Sequence, residues 1–233
     1  MRDHDTSKKI DVYLETGKKK TFAGAIDWPG WCRSARDEAS ALQALVRYGP
    51  RYARALDGTQ LGFQAPDDAS VFSVVERLQG DATTDFGAPG QSPAYDAGPV
   101  DAADLRRFQE LLEACWQAFD AAVRSAGGRE LTRGPRGGGR DLARIVRHLM
   151  DADAGYLSAA GRKLDKGNAG DAGADMARIR QAILSTLTAS AAGEIPAIGP
   201  RGGVRWTPRY FVRRVAWHAL DHAWEIEDRS LTV

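Results

Sequence analysis

Cysteine is scarce in this chain: Cys32 and Cys115 are the only two, far apart and without C-x-x-C spacing. That excludes a disulfide-stapled scaffold and a dithiol redox motif, and both thiols read as reduced packing residues. Charge of one sign is lacking too. The 32 basic and 31 acidic residues leave a formal charge of +1, so no electrostatic case exists for binding nucleic acid or an anionic membrane. No apolar run is long enough for a membrane span, and the opening MRDHDTSKKIDV has no secretory-signal stretch. We therefore expect a cytoplasmic protein. The segment RGPRGGGR is rich in glycine and arginine but lacks the order of a P-loop.

What is present has two textures. KKIDVYLET alternates Ile10, Val12 and Leu14 with polar neighbours, the period of a half-buried strand, and Gly17 with its lysines marks a turn into TFAGAIDW as hairpin partner. Pro29 and Gly30 break that strand. From Ser34 a helical stripe follows through Ala41, Leu42, Leu45 and Val46, with Ser34 or Asp37 as cap and Gly49-Pro50 expected to end or kink the helix. VFSVVERL (71–78) reads as a further strand. Residues 80–100 are aperiodic and rich in Gly, Pro, Ser and Asp, a linker composition. We place a domain boundary near residue 95, with an α+β unit over 1–95 and a helical one over 96–233.

Four amphipathic segments follow, at 101–127, 141–161, 174–192 and 207–228, with Asp141, Thr207 and Pro208 at starting positions that suit them. Four such helices suggest an all-α four-helix bundle. Three of the chain's four histidines lie in two of these helices; the fourth, His4, lies in the charged N-terminal segment. His218 and His222 are spaced H-x3-H, which puts both imidazoles on one helix face a turn apart. A lone helical histidine is more often a hydrogen-bonded residue than a ligand. With His148 from a second helix, however, the pair can complete a three-nitrogen site for a divalent metal that leaves open positions. All-imidazole ligation points to zinc or nickel. No glutamate sits inside the pair as in H-E-x-x-H, so nothing points to proteolysis.

The segments carrying His148, Asp153 and Tyr156 and the stretch WHALDHAWEIED make the second half resemble the DinB-like superfamily of metal-binding four-helix bundles. That superfamily includes mycothiol-dependent S-transferases. The resemblance implies a metal triad of His148, His218 and His222 and a low-molecular-weight thiol as co-reactant. FAGAIDWPGWCRSARDEASALQAL resembles the HicB-like antitoxin module, implying a small binding or assembly domain; where an antitoxin would continue with a DNA-binding segment, a bundle follows instead.

Other residues carry further expectations. Asp221 or Glu225 can orient an imidazole through its second nitrogen. Arg205, Arg209, Arg213 and Arg214 cluster at the positive end of the last helix, and Arg209, Arg213 and Arg214 are the candidate binders of an anionic cofactor or substrate group. Trp217 and Trp224 read as bundle packing, and Trp206 as lining a pocket mouth. The expected function is a divalent-metal protein performing thiol-dependent transfer or detoxification of a small electrophile. The alternatives are a metal-dependent hydrolase, or a non-enzymatic binding or regulatory protein. A small-molecule substrate and a homodimer are the expected partners; no catalytic residue is assigned beyond the metal ligands.

Overall fold

The computed structural model describes residues 9–133, 139–164 and 172–230. His4 and the centre of the RGPRGGGR loop lie outside them. The chain divides into two compact units, Met1–Tyr95 and Asp96–Val233.

The first unit is a mixed four-stranded sheet in the order β3-β2-β1-β4 with one long helix. β1 (Ile10–Thr16) pairs antiparallel with β2 (Thr21–Ala25) and parallel with β4 (Phe72–Gln79). A register shift after Val12 leaves Val75 without a partner in that ladder, and Val75 is exposed. Tyr13 lies opposite Gly24, and its ring covers the space a Cβ at Gly24 would need, with atoms only 2.5 Å from it. A side chain there would displace the ring.

Two expectations need correction in this unit, the strand at Cys32–Ala35 and the end of the helix at Pro50, while the cap at Asp37 is as expected. The strand begun by TFAGA ends at Ala25, and the chain turns back at Cys32 as β3 (Cys32–Ala35), where a helix approach was expected. The helix α1 (Glu38–Ala55) starts one residue after Asp37, whose carboxylate accepts from the Ser40 amide. It also runs through Pro50 instead of stopping there. Its last turn is held by Tyr52, which is fully buried, donates to the Pro29 carbonyl at 2.8 Å and stacks on Trp31 at 5.9 Å. Those contacts outweigh the roughly 3 kcal/mol a proline costs inside a helix.

The linker-like stretch is ordered as well. A short helix, α2 (Ala82–Phe86), is closed by a capping box at Asp81 and ends at Gly87 in the left-handed region. Glu15 of β1, completely buried, accepts from Thr84 Oγ1, Gly90 N and Gln91 N at 2.5, 2.9 and 3.1 Å. A strand carboxylate thus clamps a segment that composition alone marks as loose.

The second unit is a helical bundle: α3 (Ala102–Ala126), α4 (Leu142–Ala159), α5 (Ala172–Ala191) and α6 (Pro208–Ser230). Asp101 and Asp141 cap α3 and α4 through the amides of Ala103, Asp104 and Arg144. Thr207 Oγ1 accepts from the Tyr210 amide, with Pro208 as first helical residue. α6 packs on each of the other three helices, and Tyr210 through Leu220 are buried without interruption. It is therefore the centre of the bundle. The polar groups it carries in that stretch are cut off from solvent. Phe119, Ile145, Leu149 and Ile226 fill one core cluster. Cys115 is completely buried in the bundle, which pushes its thiol pKa upward, and Cys32 is buried in the first unit; both are free thiols.

Candidate metal centre

The bundle brings three imidazoles from two helices to one point. His148 is offered by α4, immediately before buried Leu149; His218 and His222 are offered by α6, whose central position buries both. One nitrogen from each lies within 4.8 Å of the other two. Ring centroids are 5.1 Å apart for His148–His218 and His148–His222, and 4.6 Å for His218–His222. The Nε2 atoms of His218 and His222 stand 3.0 Å apart. Two ligands at a metal–nitrogen distance of roughly 2.0–2.1 Å are separated by about 3.0–3.4 Å, so the spacing fits.

The network around them sets the tautomers. His222 Nδ1–H donates to Glu225 Oε2 at 2.8 Å, and Glu225 Oε1 accepts from Arg229 Nη1 at 2.7 Å. The proton on Nδ1 leaves the Nε2 lone pair of His222 directed at His218 Nε2. Two facing lone pairs repel, so a proton or a cation must lie between them. Arg229 is itself fixed by donating to the Thr132 carbonyl at 2.7 Å. The hydrogen bond from His222, reinforced by Arg229, holds the Glu225 carboxyl below its ordinary pKa. Glu225 thus has the orienting role expected of it or of Asp221.

Electrostatics keep the ring nitrogens available. Burial pushes the His218 pKa well below its usual value, helped by His222, His148 and Arg214; burial, Arg140 and His222 lower His148. Neutral imidazole is the metal-binding form. The Nδ1 atom of His218 is buried without a hydrogen-bond partner. Trp217 stacks beside that ring at 5.7 Å, and Tyr156 meets it edge-on at 5.7 Å.

The expected arginine cluster divides. Arg213 is buried in a bidentate pair with Asp96, both contacts 2.7 Å, and Asp96 is completely buried. Arg209 donates to the Pro99 carbonyl and to Asp104. These ion pairs hold the start of the unit on α6, so neither arginine is available to a cofactor, and that expectation is corrected. Arg205 donates to the Pro196 carbonyl. Only Arg214 reaches the histidines' surroundings. No sequence signal pointed to Asp96, which lies in the aperiodic stretch. Trp217 and Trp224 are buried, while partly buried Trp206 packs on Tyr156 and Tyr210 at 5.2 and 4.8 Å.

Asp153, one turn before Tyr156 on α4, is buried with no hydrogen-bond partner for either carboxylate oxygen. Burial raises its pKa to about 8 against the opposing pull of Arg180. A cavity of about 740 Å³ has Leu131, Val146 and Met150 on its walls and Arg140, Arg147 and Arg229 among its charged residues, and none of the three histidines lines it.

The sequence profile of the DinB superfamily matches residues 111–226, a stretch holding all three histidines. The helical unit is therefore a DinB-superfamily domain, and that superfamily is generally metal-binding. No curated protein and no solved structure matched the chain.

Proposed function

We propose that His148, His218 and His222 hold one divalent ion, zinc or nickel, and that the protein is a thiol-dependent transferase acting on a small electrophile. The observation that carries this reading is the buried pair of Nε2 atoms 3.0 Å apart, with His148 beside them and Glu225 fixing one tautomer. A bound divalent cation lowers the pKa of a thiol or water beside it. The chain supplies the rest. Glu225 accepts the Nδ1–H hydrogen bond of His222 and so aims Nε2 inward, Arg229 holds Glu225 still, and burial keeps His218 neutral.

Thiol chemistry is favoured over hydrolysis by the state of Glu225. It is the carboxylate hydrogen-bonded to the triad, and both its oxygens are committed, one to His222 and one to Arg229. It is no free base for water, so hydrolysis would rely on the metal alone to acidify a water from about 15.7, whereas a thiol starts from about 8.5 and needs far less help. In the transfer the thiol gives its proton to solvent, sulfur bonds to the electrophilic carbon, and the leaving group departs into solvent with the electron pair of the broken bond. We read the first unit, on its sequence resemblance, as a HicB-like module serving binding or assembly.

The test is thioether formation from a low-molecular-weight thiol and a chloronitroarene, followed by product absorbance with zinc- or nickel-loaded protein. His222→Ala should abolish the protein-dependent rate, and Glu225→Gln should lower it about 10–100-fold through loss of the ligand's support. Thiol-independent cleavage of a nitrophenyl ester, with no thioether formed, would instead establish the hydrolase reading.

A further inference from the structure

The end of the bundle where α3 and α6 finish and α4 begins carries the cavity that none of the three histidines lines. Its volume, about 740 Å³, falls within the roughly 300–1,000 Å³ of small-molecule pockets. The floor is apolar. Val123, Leu131, Leu142, Val146 and Met150 all line it, and each is half-buried and packs on the core cluster that holds Phe119, Ile145 and Leu149. Ala143, Val146, Arg147 and Met150 are spaced i, i+3, i+4 and i+7, so one face of α4 forms a wall. Apolar surface turned toward an open cavity keeps its contact with water, and covering it with a hydrocarbon chain is favourable.

The rim is basic. A chain of formal charge +1 gathers six arginines and two acids around this one cavity. Asp141 is committed to capping α4 and to Arg144, and Arg229 pairs with Glu225. Arg129, Arg133, Arg140 and Arg147 then face a single acid, Glu130; all four are exposed, and none is ion-paired to a described residue. Such an excess of one sign around a low-dielectric wall favours an anion, and the long guanidinium stems let its head settle at the rim. No aromatic side chain is among the described lining residues, so the floor offers no ring a face to stack on. Met150 and its aliphatic neighbours suit a flexible chain instead.

We propose that this cavity binds a medium-chain aliphatic carboxylate, with the chain on the floor between α3 and α4 and the carboxylate among the rim arginines. The site goes beyond the metal reading and does not depend on it, since every group that forms it is a side chain of the helical unit.

The experiment is calorimetric titration of full-length protein with octanoate, with octanol, which has the same chain length and no charge, and with acetate, which has the head and no chain. Octanoate should bind at least about tenfold more tightly than octanol, and acetate should not bind at the same concentrations. Arg140→Gln/Arg147→Gln changes two exposed positions and should bring octanoate to within about threefold of octanol. Arg36→Gln/Arg77→Gln removes the same charge from exposed ion pairs of the first unit and should keep the preference. Ala143→Trp puts an indole into the cavity from an exposed position and should weaken both ligands about tenfold or more. If that variant loses helicity, Ala172→Trp makes the same test from the start of α5. Equal binding of octanoate and octanol, no binding of octanoate, or octanoate binding unchanged by the paired arginine substitutions or by the indole would each overturn the proposal. Co-sedimentation with phosphatidylglycerol vesicles without octanoate binding would assign this end of the bundle to a membrane surface and overturn it too. His222→Ala should bind octanoate as wild type does, so a failure of the metal reading leaves this result standing.

Discussion

Asp153 and Glu225 are both acids of the bundle, and their surroundings give them opposite properties. Glu225 is hydrogen-bonded to His222 and Arg229, which favours its charged form. Asp153 has no hydrogen bond to either oxygen, and burial favours its neutral form up to about pH 8. An unfolded aspartate titrates near 3.9. Between those two values the folded chain keeps a proton that the unfolded chain has released, so Asp153's contribution is fully present below about pH 4 and is lost as pH rises through about 8. Asparagine carries no such linkage. Relative to wild type, Asp153→Asn should therefore gain stability as pH rises from 4 to 8, by on the order of 1 kcal/mol per pH unit at the steepest. Denaturant unfolding of both proteins at pH 5 and 8 measures this. Parallel shifts of the two would mean that Asp153 is solvated or paired.

Elements obey local chemistry until a distant contact intervenes, and Pro50 is the plainest instance. It sits exposed inside α1, where its nitrogen cannot donate to the Val46 carbonyl. Pro50→Ala restores that donor without disturbing Tyr52, and should raise the stability of the first unit by about 1–3 kcal/mol in thermal or urea unfolding. A loss of stability would show that the proline ring itself is needed. The same contest explains what was legible in the sequence. Strand β1, the caps at Asp37, Asp141 and Thr207, and the four long helices follow from alternation, helical period and capping chemistry, and so does the sequence α+β then bundle. β3 did not show, because its four residues, CRSA, carry no alternation. The order in residues 82–91 did not show either, because it depends on Glu15, some seventy positions earlier. For the site, H-x3-H spacing fixes that His218 and His222 share a face. The approach of His148 is a property of helix packing, and Arg209 and Arg213 looked available because Asp104 and Asp96, their partners, lie more than a hundred residues away.

At the scale of the whole molecule, the chemistry proposed here belongs to the helical unit, within which the DinB-superfamily match falls. Its central helix carries two of the three histidines, the glutamate that orients one of them, and the arginines that tie it to its surroundings. No helix among the described residues is long and apolar enough to cross a membrane. The triad's value as a ligand set rests on its being neutral near physiological pH, which burial secures for His148 and His218. The most direct measurement is elemental analysis of the full-length protein purified without a metal-affinity tag, alongside His148→Ala, His218→Ala and His222→Ala. Wild type should carry about one equivalent of zinc or nickel per chain, and each variant, still helical by circular dichroism, should carry almost none. Wild type without metal that also fails to take up added zinc or nickel at pH 7.5, or variants that retain a full equivalent, would contradict the three-histidine centre.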